Sequence, residues 1–336
     1  MVSVTIVTWN SERFLSECLA SLAAQDYADT EIIVVDNAST DGTRALLDEA
    51  TKQWRVVKND TNVGFAAGQN QAIRASHGEW VLCLNPDIVL SPDFISQLLA
   101  AGLNHPEAGA ICGKLLRWDP VAGDHKTNII DSTGIYFTRN MRHLDRGAEE
   151  ADGGQYNRPQ YVFGASGAAA MFRREFVEAV SVEGQFFDEE FFAFREDGDL
   201  AWRAQVMGWK TLYEPQAVAW HVRRVTPERR ADLPLVINWH SVKNRFLMRG
   251  KNASGWLCRR LFLPVAWRDL QTLGYALLRD WRMISATFYW VGAWGSIRRK
   301  RAIIQSLRKV SDRDLLWWFC DTARAVDVEA REGARD

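Results

Sequence analysis

The 336-residue chain is poor in cysteine, with only Cys18, Cys83, Cys112, Cys258 and Cys320, and no two of them form a C-x-x-C pair. An odd, scattered set excludes a disulfide framework and fits reduced thiols in the cytosol. No G-x-G-x-x-G follows the first apolar strand, whose turn reads TWNSERF, so an ordinary dinucleotide-binding fold is not expected. The absence of G-x-x-x-x-G-K-[ST] argues against a P-loop NTPase. The first strand, VSVTIVTW, is preceded by no basic segment or cleavage signal, so no signal peptide is expected and the chain is placed on the cytoplasmic side. Long hydrophobic runs are missing too. MISATFYWVGAWGSI (283–297) is 15 residues without a charge, short of the ~17–20 that a spanning helix needs.

What is present looks globular: 47% apolar and 25% charged residues. Only the polar end, DVEAREGARD, reads as disordered. The net charge of −1 hides a split. Residues 1–220 hold 18 Lys/Arg against 31 Asp/Glu, a net of −13; residues 221–336 hold 23 against 11, a net of +12. An acidic body with a basic tail suggests two surfaces with different partners.

Strand and helix patterns alternate over the first ninety residues. Strands are expected at 2–9, 31–35, 54–58 and 80–84, and helices at 12–24, 43–51 and 65–76, with a further helix at 92–103 after the turn Asn85-Pro86-Asp87. This βαβαβαβ order predicts a parallel sheet with right-handed crossovers. From about residue 109 the pattern loosens into shorter strands and glycine-rich turns. Helices are expected at 173–179 and 199–207, and a final strand pair at 210–213 and 217–221. From about residue 234 the chain becomes helical, basic and aromatic, with eight of the fifteen tryptophans after residue 235.

Polar residues cluster where the strands run out: Asn10, Asp36, Asn62 with Gly64, and Asp87. Proline ends the fourth strand because it cannot donate to a sheet ladder. Parallel strands carry these tips to one edge, where open α/β sheets bind ligands. Taken singly, Asp36 is equally a helix cap and Asp87 a turn residue.

Together these segments resemble the family 2 glycosyltransferases of the GT-A fold. The matching stretches are VTIVTWNSERFLSECLASLAAQ, IIVVDNASTDGT, NVGFAAGQNQAI, GEWVLCLNPDIVLSPDF, FGASGAAAMFRREFVEAV, FDEEFFAFREDGDLAWRAQVMGW and AWH. NVGFAAGQNQ joined to LNPD is most similar to the rhamnosyltransferase branch, of bacterial surface polysaccharide assembly. The resemblance implies an α/β catalytic domain over 1–230, with a nucleotide-sugar half (1–108) and an acceptor half (109–230), and a helical, basic, Trp-rich extension over 231–336.

It also implies an inverting transfer of a sugar, L-rhamnose from dTDP-L-rhamnose, to a lipid-linked or polysaccharide acceptor. A galactosyl or N-acetylhexosaminyl donor carried by UDP is the alternative. A non-catalytic nucleotide-sugar-binding protein and a sugar-nucleotide pyrophosphorylase are the other classes, but the latter wants a Gly-rich basic loop that TWNSERF lacks. Asp87 occupies the family's D-x-D position as its only carboxylate, since Asn85 replaces the first. With His221 of AWH it is expected to hold a divalent cation, Mg²⁺ or Mn²⁺. Asp197 is the expected general base and Glu196 its neighbour orienting the acceptor. Asp199 is expected only to begin a helix, and the Phe-rich FFDEEFFAF to exclude water beside the base. Thr8, Asp36, Asn62, Gly64, Asn70 and Asn85 are placed on the donor side, and Gly167, Arg173 and Arg174 on the acceptor side.

The basic tail completes these expectations. Clustered Trp, Tyr and Arg favour a membrane interface, so helices over 255–310 are expected on the inner face of the plasma membrane. Packing on the catalytic domain or a homo-oligomer contact is the alternative. No nucleic-acid partner is expected.

Overall fold

The fold was taken from a computed structural model that describes residues 1–50, 54–119, 125–223, 235–278 and 281–328. Of the polar end read as disordered, Asp327 and Val328 are described, Asp327 as part of a strand, and the rest lies outside the described residues, as does the last residue of the helix expected at 43–51. Strands β1 (Val2–Thr8), β2 (Thr30–Asp36), β3 (Arg55–Lys58) and β4 (Trp80–Leu84) are parallel, in spatial order β3-β2-β1-β4. Helices α1 (Glu12–Ala23), α2 (Thr43–Ala50) and α3 (Phe65–Arg74) connect them. Every residue of β1 is buried, because a parallel strand is covered on both faces and so reads as an unbroken apolar run. The Leu15 and Cys18 side chains of α1 pack on one face of the sheet, and Ala72 of α3 on the other.

Beyond the Asn85-Pro86-Asp87 turn come β5 (Ile88–Leu90), α4 (Phe94–Asn104), β6 (Ala108–Asp119), β7 (His125–Ser132), β8 (Ile135–Phe137), β9 (His143–Asp145), β10 (Gln160–Val162) and β11 (Ala169–Arg173). Then follow α5 (Arg174–Val180), α6 (Glu196–Val206) and β12 (Lys210–His221). Strand β11 runs antiparallel between β4 and β6, and β12 lies parallel beyond β6. The strand pair expected at 210–213 and 217–221 is one strand with a bulge between Glu214 and Val218. Pro215 has no N–H for the ladder, so sequence periodicity breaks there although the strand continues. Opposite the bulge, a Cβ on Gly113 would stand 2.3 Å from the Ala217 carbonyl oxygen.

The last third forms α7 (Leu235–Asn252), α8 (Gly255–Arg260), α9 (Phe262–Leu278), α10 (Met283–Gly292), α11 (Trp294–Ser306) and α12 (Asp312–Trp317). It then returns to the sheet as β13 (Val326–Asp327), paired antiparallel with β10. The tail is thus stitched to the catalytic body at both ends. Its positive charge is partly spent on that body. Lys300 Nζ lies 2.6 Å from Asp188 Oδ1, Lys251 pairs with the other Asp188 oxygen, and Lys251 also reaches Asp199 Oδ2 at 3.0 Å. All four side chains are buried. Burial works to raise the Asp188 carboxyl, but Lys251 and Lys300 outweigh it and hold it well below the usual range.

Removing one partner of a buried pair strands the other charge, at a cost of ~3–5 kcal/mol. Lys251→Met is therefore expected to lower the unfolding free energy by that order in urea titrations. The depressed Asp188 contributes stability that is present above the ordinary carboxylate pKa and lost as pH falls through its lower folded value, so acid should destabilise wild type. A Lys251→Met protein within 1 kcal/mol of wild type would show that the cluster does not hold the tail.

Candidate active site

A cleft of about 610 Å³ opens where β4 and β12 end. Strand register assembles its floor. His221, the last residue of β12, is paired antiparallel with Ile88 and parallel with Arg117 of β6. This sets His221 Nε2 3.5 Å from Asp87 Oδ1, and the Val222 N–H donates to the Asp87 carbonyl at 3.1 Å. On the other side, His221 Nδ1 lies 2.8 Å from Asp131 Oδ2. Asp131, buried at the end of β7, is also ion-paired with Arg117 and Arg223. Burial disfavours charge on His221, but the Asp131 and Asp87 carboxylates overcome it and raise its pKa to about 10.

Asp87 and His221 suit a small divalent cation: a hard carboxylate oxygen and an imidazole whose other nitrogen a carboxylate fixes, as metal-binding histidines require. A cation there must displace the proton that the two carboxylates hold on His221. Among the described residues no group of three or more His, Cys, Asp or Glu gathers around one ion position. Any cation held there would need its remaining ligands from water or from a bound ligand.

Glu196 and Asp197 open α6 on the opposite wall. Asp197 Oδ2 accepts from the Gly167 N–H at 3.2 Å and Oδ1 from the Gly198 N–H at 2.7 Å, while His143 Nε2 lies 3.9 Å away. Burial first, and Asp145 second, raise the Asp197 pKa against those two N–H groups. A Cβ on Gly167 would press the Asp197 Cβ at 3.2 Å. Glu196 is buried, and its Oε2 has no hydrogen-bond partner among the described residues. Burial, then the Asp197 charge, push its carboxyl up to about 8. Asp199 does more than begin the helix, because it receives Lys251 and Asn252 from α7.

The segment preceding this pair is strained and clamped. Phe192, Phe194 and Arg195 all have positive φ, at 66°, 70° and 70°. Asn244 Nδ2 of α7 lies 2.9, 2.8 and 2.7 Å from the carbonyl oxygens of Phe191, Ala193 and Phe194. Arg195 Nε donates to the Ser241 carbonyl at 2.7 Å. Of the Phe-rich stretch, Phe186, Phe187 and Phe191 are core side chains, and Ala193 and Phe194 line the cleft.

The other expected site residues are dispersed. Asn85 and Gly167 line the cleft. Thr8 and Asp36 are fully buried beside it: Thr8 Oγ1 donates to Asp36 Oδ1 at 3.1 Å, and Arg44 and Ser39 donate to Oδ2 at 2.8 and 3.2 Å. Asn62 caps the turn into α3 by accepting from the Gly64 N–H at 2.9 Å. Gly64 has φ 89°, and a Cβ there would meet Phe192 at 2.6 Å. Asn70, expected on the donor side, is a clamp: its amide spans the Phe187 backbone, donating at 2.7 Å and accepting at 3.0 Å.

Arg173 and Arg174 are corrected from the acceptor side to the far edge of the sheet. Strand β11 is antiparallel to β4, so Arg173 pairs with Trp80, at the end of β4 remote from Asp87. There Arg173 stacks 4.4 Å from the Trp80 ring, and Arg174 donates to Gly78 and Ser76. In their place the cleft holds Arg142, His143, Asp145, Asp131 and Arg223, which sequence reasoning did not single out. Arg223 lies two residues after His221, the one local signal available.

A mixed sheet with the cleft at the tips of β4 and β12 is the GT-A arrangement. The sequence profile described as Glycosyl transferase family 2 matches residues 3–181, and the chain belongs to that family. It is 28% identical over 288 residues to an N-acetylglucosaminyl-diphospho-decaprenol L-rhamnosyltransferase of Mycobacterium tuberculosis, covering 76% of this chain and 86% of that protein. An N-acetylglucosaminyltransferase of Azorhizobium caulinodans is 30% identical over 230 residues, covering 65% and 54%. The fold is shared with the mannosyltransferase PcManGT from Pyrobaculum calidifontis, solved in complex with GDP-Man and Mn²⁺. The TM-score is 0.51 at 18% identity, covering 94% of this chain and 82% of that one. The protein is a family 2 glycosyltransferase.

Glu196 supplies a pH test. Its folded pKa of about 8 lies above its ordinary value of 4.5, so the folded state holds a proton that the unfolded state gives up in that window. Its contribution is present below the lower value and lost as pH rises through 8. Glu196→Gln should flatten this decline and melt higher than wild type at alkaline pH. Thermal melts across the window check it; parallel wild-type and variant curves would return Glu196 to an ordinary carboxylate.

Proposed function

We propose that the protein transfers L-rhamnose from dTDP-L-rhamnose, with inversion, to a lipid-linked acceptor at the inner face of the plasma membrane. The observation that carries the site is the meeting of two pairs, Asp87 with His221 and Glu196 with Asp197, across one cleft. The identity to the mycobacterial rhamnosyltransferase supports the sugar. The identity to an N-acetylglucosaminyltransferase keeps an N-acetylhexosaminyl donor carried by UDP as the second reading.

In the reaction the acceptor hydroxyl oxygen attacks the anomeric carbon as the carbon–oxygen bond to the diphosphate breaks, and the hydroxyl proton passes to Asp197. A carboxylate with a raised pKa is a better proton acceptor, and the Gly167 and Gly198 N–H groups fix both its oxygens. Glu196, whose burial and the Asp197 charge favour its protonated form, can donate a hydrogen bond to the acceptor. With one base and no second carboxylate acting as nucleophile, displacement is direct. A divalent cation held by Asp87 and His221 would neutralise charge on the departing diphosphate, in keeping with the Mn²⁺ in the solved mannosyltransferase. Arg223 stands beside that pair and can share the task. Thr8 and Asp36, buried at the strand tips, would support the nucleoside site from behind through Arg44 and Ser39, and Asn85 would meet the sugar.

The exposed face of α9 supports a membrane-bound acceptor. Phe262, Leu263, Trp267, Leu270, Leu277 and Leu278 are open to solvent, Leu263 at 77% and Leu278 at 85%. Arg259, Arg260, Arg268 and Arg282 border them, a pairing suited to an anionic lipid surface. Among the described residues no helix is long and apolar enough to cross a membrane, so the contact would be interfacial.

Asp197→Asn is expected to lower transfer by ~10²–10⁴ and leave donor affinity nearly unchanged, as read by turnover and calorimetry on a panel of nucleotide sugars. Retention of more than a tenth of wild-type turnover would sink Asp197 as the base, and transfer from none of the sugars would sink the proposed activity. Asp87→Ala and His221→Ala should each weaken cation-dependent donor binding, with a double variant little worse than either. Wild-type binding indifferent to chelator would remove the cation from this pair.

A further inference from the structure

A second cleft, of about 470 Å³, lies apart from the first between α8, α9, α12 and the turn joining β8 to β9. Arg139, Arg260, Arg313 and Arg324 line it, among the described residues no carboxylate does, and the remaining wall is apolar, with Leu261 and Trp317 prominent. Arg324 is fixed in place: it donates to the Trp317 carbonyl at 2.6 Å, and its guanidinium lies 4.9 Å from the Trp317 ring. The side chains of Arg139, Arg260 and Arg313 make no ion pair among the described residues. The nearest acids are engaged elsewhere: Asp312 with Arg308 at 3.0 Å, Asp314 with Ser311 at 2.6 Å, and Asp321 with the Arg139 backbone N–H at 3.2 Å. Four like charges around one space repel unless an anion joins them, and guanidinium forks match phosphate oxygens.

Two features of position narrow the ligand. The exposed Phe262 and Leu263 fall between Leu261 and Pro264, both of which line the cleft. An apolar chain leaving the arginines therefore meets the open face of α9. The turn also carries Arg139 into this cleft and Arg142, three residues on, into the catalytic one. That turn is tight: the Thr138 N–H donates to the Arg142 carbonyl at 2.9 Å, and Thr138 Oγ1 is 2.8 Å from Asn140 Oδ1.

We propose that this arginine cleft binds the phosphate group of an anionic amphiphile whose apolar chain runs along α9. The chain's path rests on the membrane reading; phosphate recognition does not. The same anion could come from a lipid headgroup or from free phosphate, and the test separates the two.

Full-length wild type and Arg260→Gln/Arg313→Gln are compared for binding to phosphatidylcholine vesicles with and without phosphatidylglycerol, and for calorimetric binding of inorganic pyrophosphate. Arg259→Gln/Arg298→Gln removes two exposed charges outside the cleft, and Leu263→Gln/Trp267→Gln disrupts the apolar face without changing the charge. Losing the two cleft arginines should weaken binding to the anionic vesicles about 30-fold, roughly fivefold for each, and abolish one pyrophosphate site. Arg259→Gln/Arg298→Gln should do markedly less, and melting curves should show all variants folded. If the two arginine pairs lose equally, the attraction is diffuse and the cleft is no site. If the apolar variant alone releases the vesicles, the membrane reading stands and the headgroup site falls. If wild type ignores vesicles but loses pyrophosphate binding with Arg260 and Arg313, the site takes free phosphate and the membrane reading falls. Equal binding of both probes by wild type and the cleft variant overturns the proposal.

Discussion

The buried meeting of Asp188 and Asp199 with Lys251 and Lys300 is the constraint around which the active half is arranged. Two carboxylates inside a protein are tolerable only when countercharges reach them, and here the countercharges come from α7 and α11. The same α7 presents Asn244 to three carbonyls and Ser241 to Arg195. Left-handed backbone at Phe192, Phe194 and Arg195 costs of order 1–3 kcal/mol per residue. It persists because a helix more than forty residues downstream holds it. The position of Asp197 is thus set by the tail as much as by the sheet.

This changes the meaning of the charge split. An acidic body and a basic tail suggested separate outside partners, yet part of each charge is spent on the other. What remains exposed on the tail includes Arg259 and Arg260 of α8 and Arg282 beside the apolar face, and Arg298 and Arg299 of α11. The profile match ends at residue 181, before Glu196, Asp197 and His221; the half of the cleft that would act as base and hold the cation pair's histidine lies beyond it.

The first ninety residues were legible because parallel strands covered on both faces spell themselves as apolar runs, and β4 falls at the expected residues. The tips Asn85 and Asp87 followed from the proline, and His221 and the Glu196–Asp197 pair from family resemblance. Asp131 was hidden, since its contact with His221 spans ninety residues and depends on β6 standing between β7 and β12. Arg173 and Arg174 misled for a related reason. A basic pair after a small-residue strand does not say which way the strand runs, and antiparallel β11 carries it away from the cleft. Asn70 looked like a pocket residue because polar side chains on a helix flanking a ligand edge often are; its partner is a backbone 117 residues away.

The sheet's two margins have a consequence for what the protein avoids. At the two ends of the main run of strands, β13 has two residues and β3 four, with Arg55 and Lys58 at its ends, and β7, which pairs with β6 alone, is backed at Asn128 and Ile130 by the chain at Glu149, Glu150 and Asp152. Short, charged borders give an incoming chain little unpaired backbone to copy. A sheet of eleven strands would otherwise be a template for edge-to-edge aggregation. Strand addition is therefore a poor route to assembly for this molecule, and encounters with other macromolecules are left to its clefts and helix surfaces.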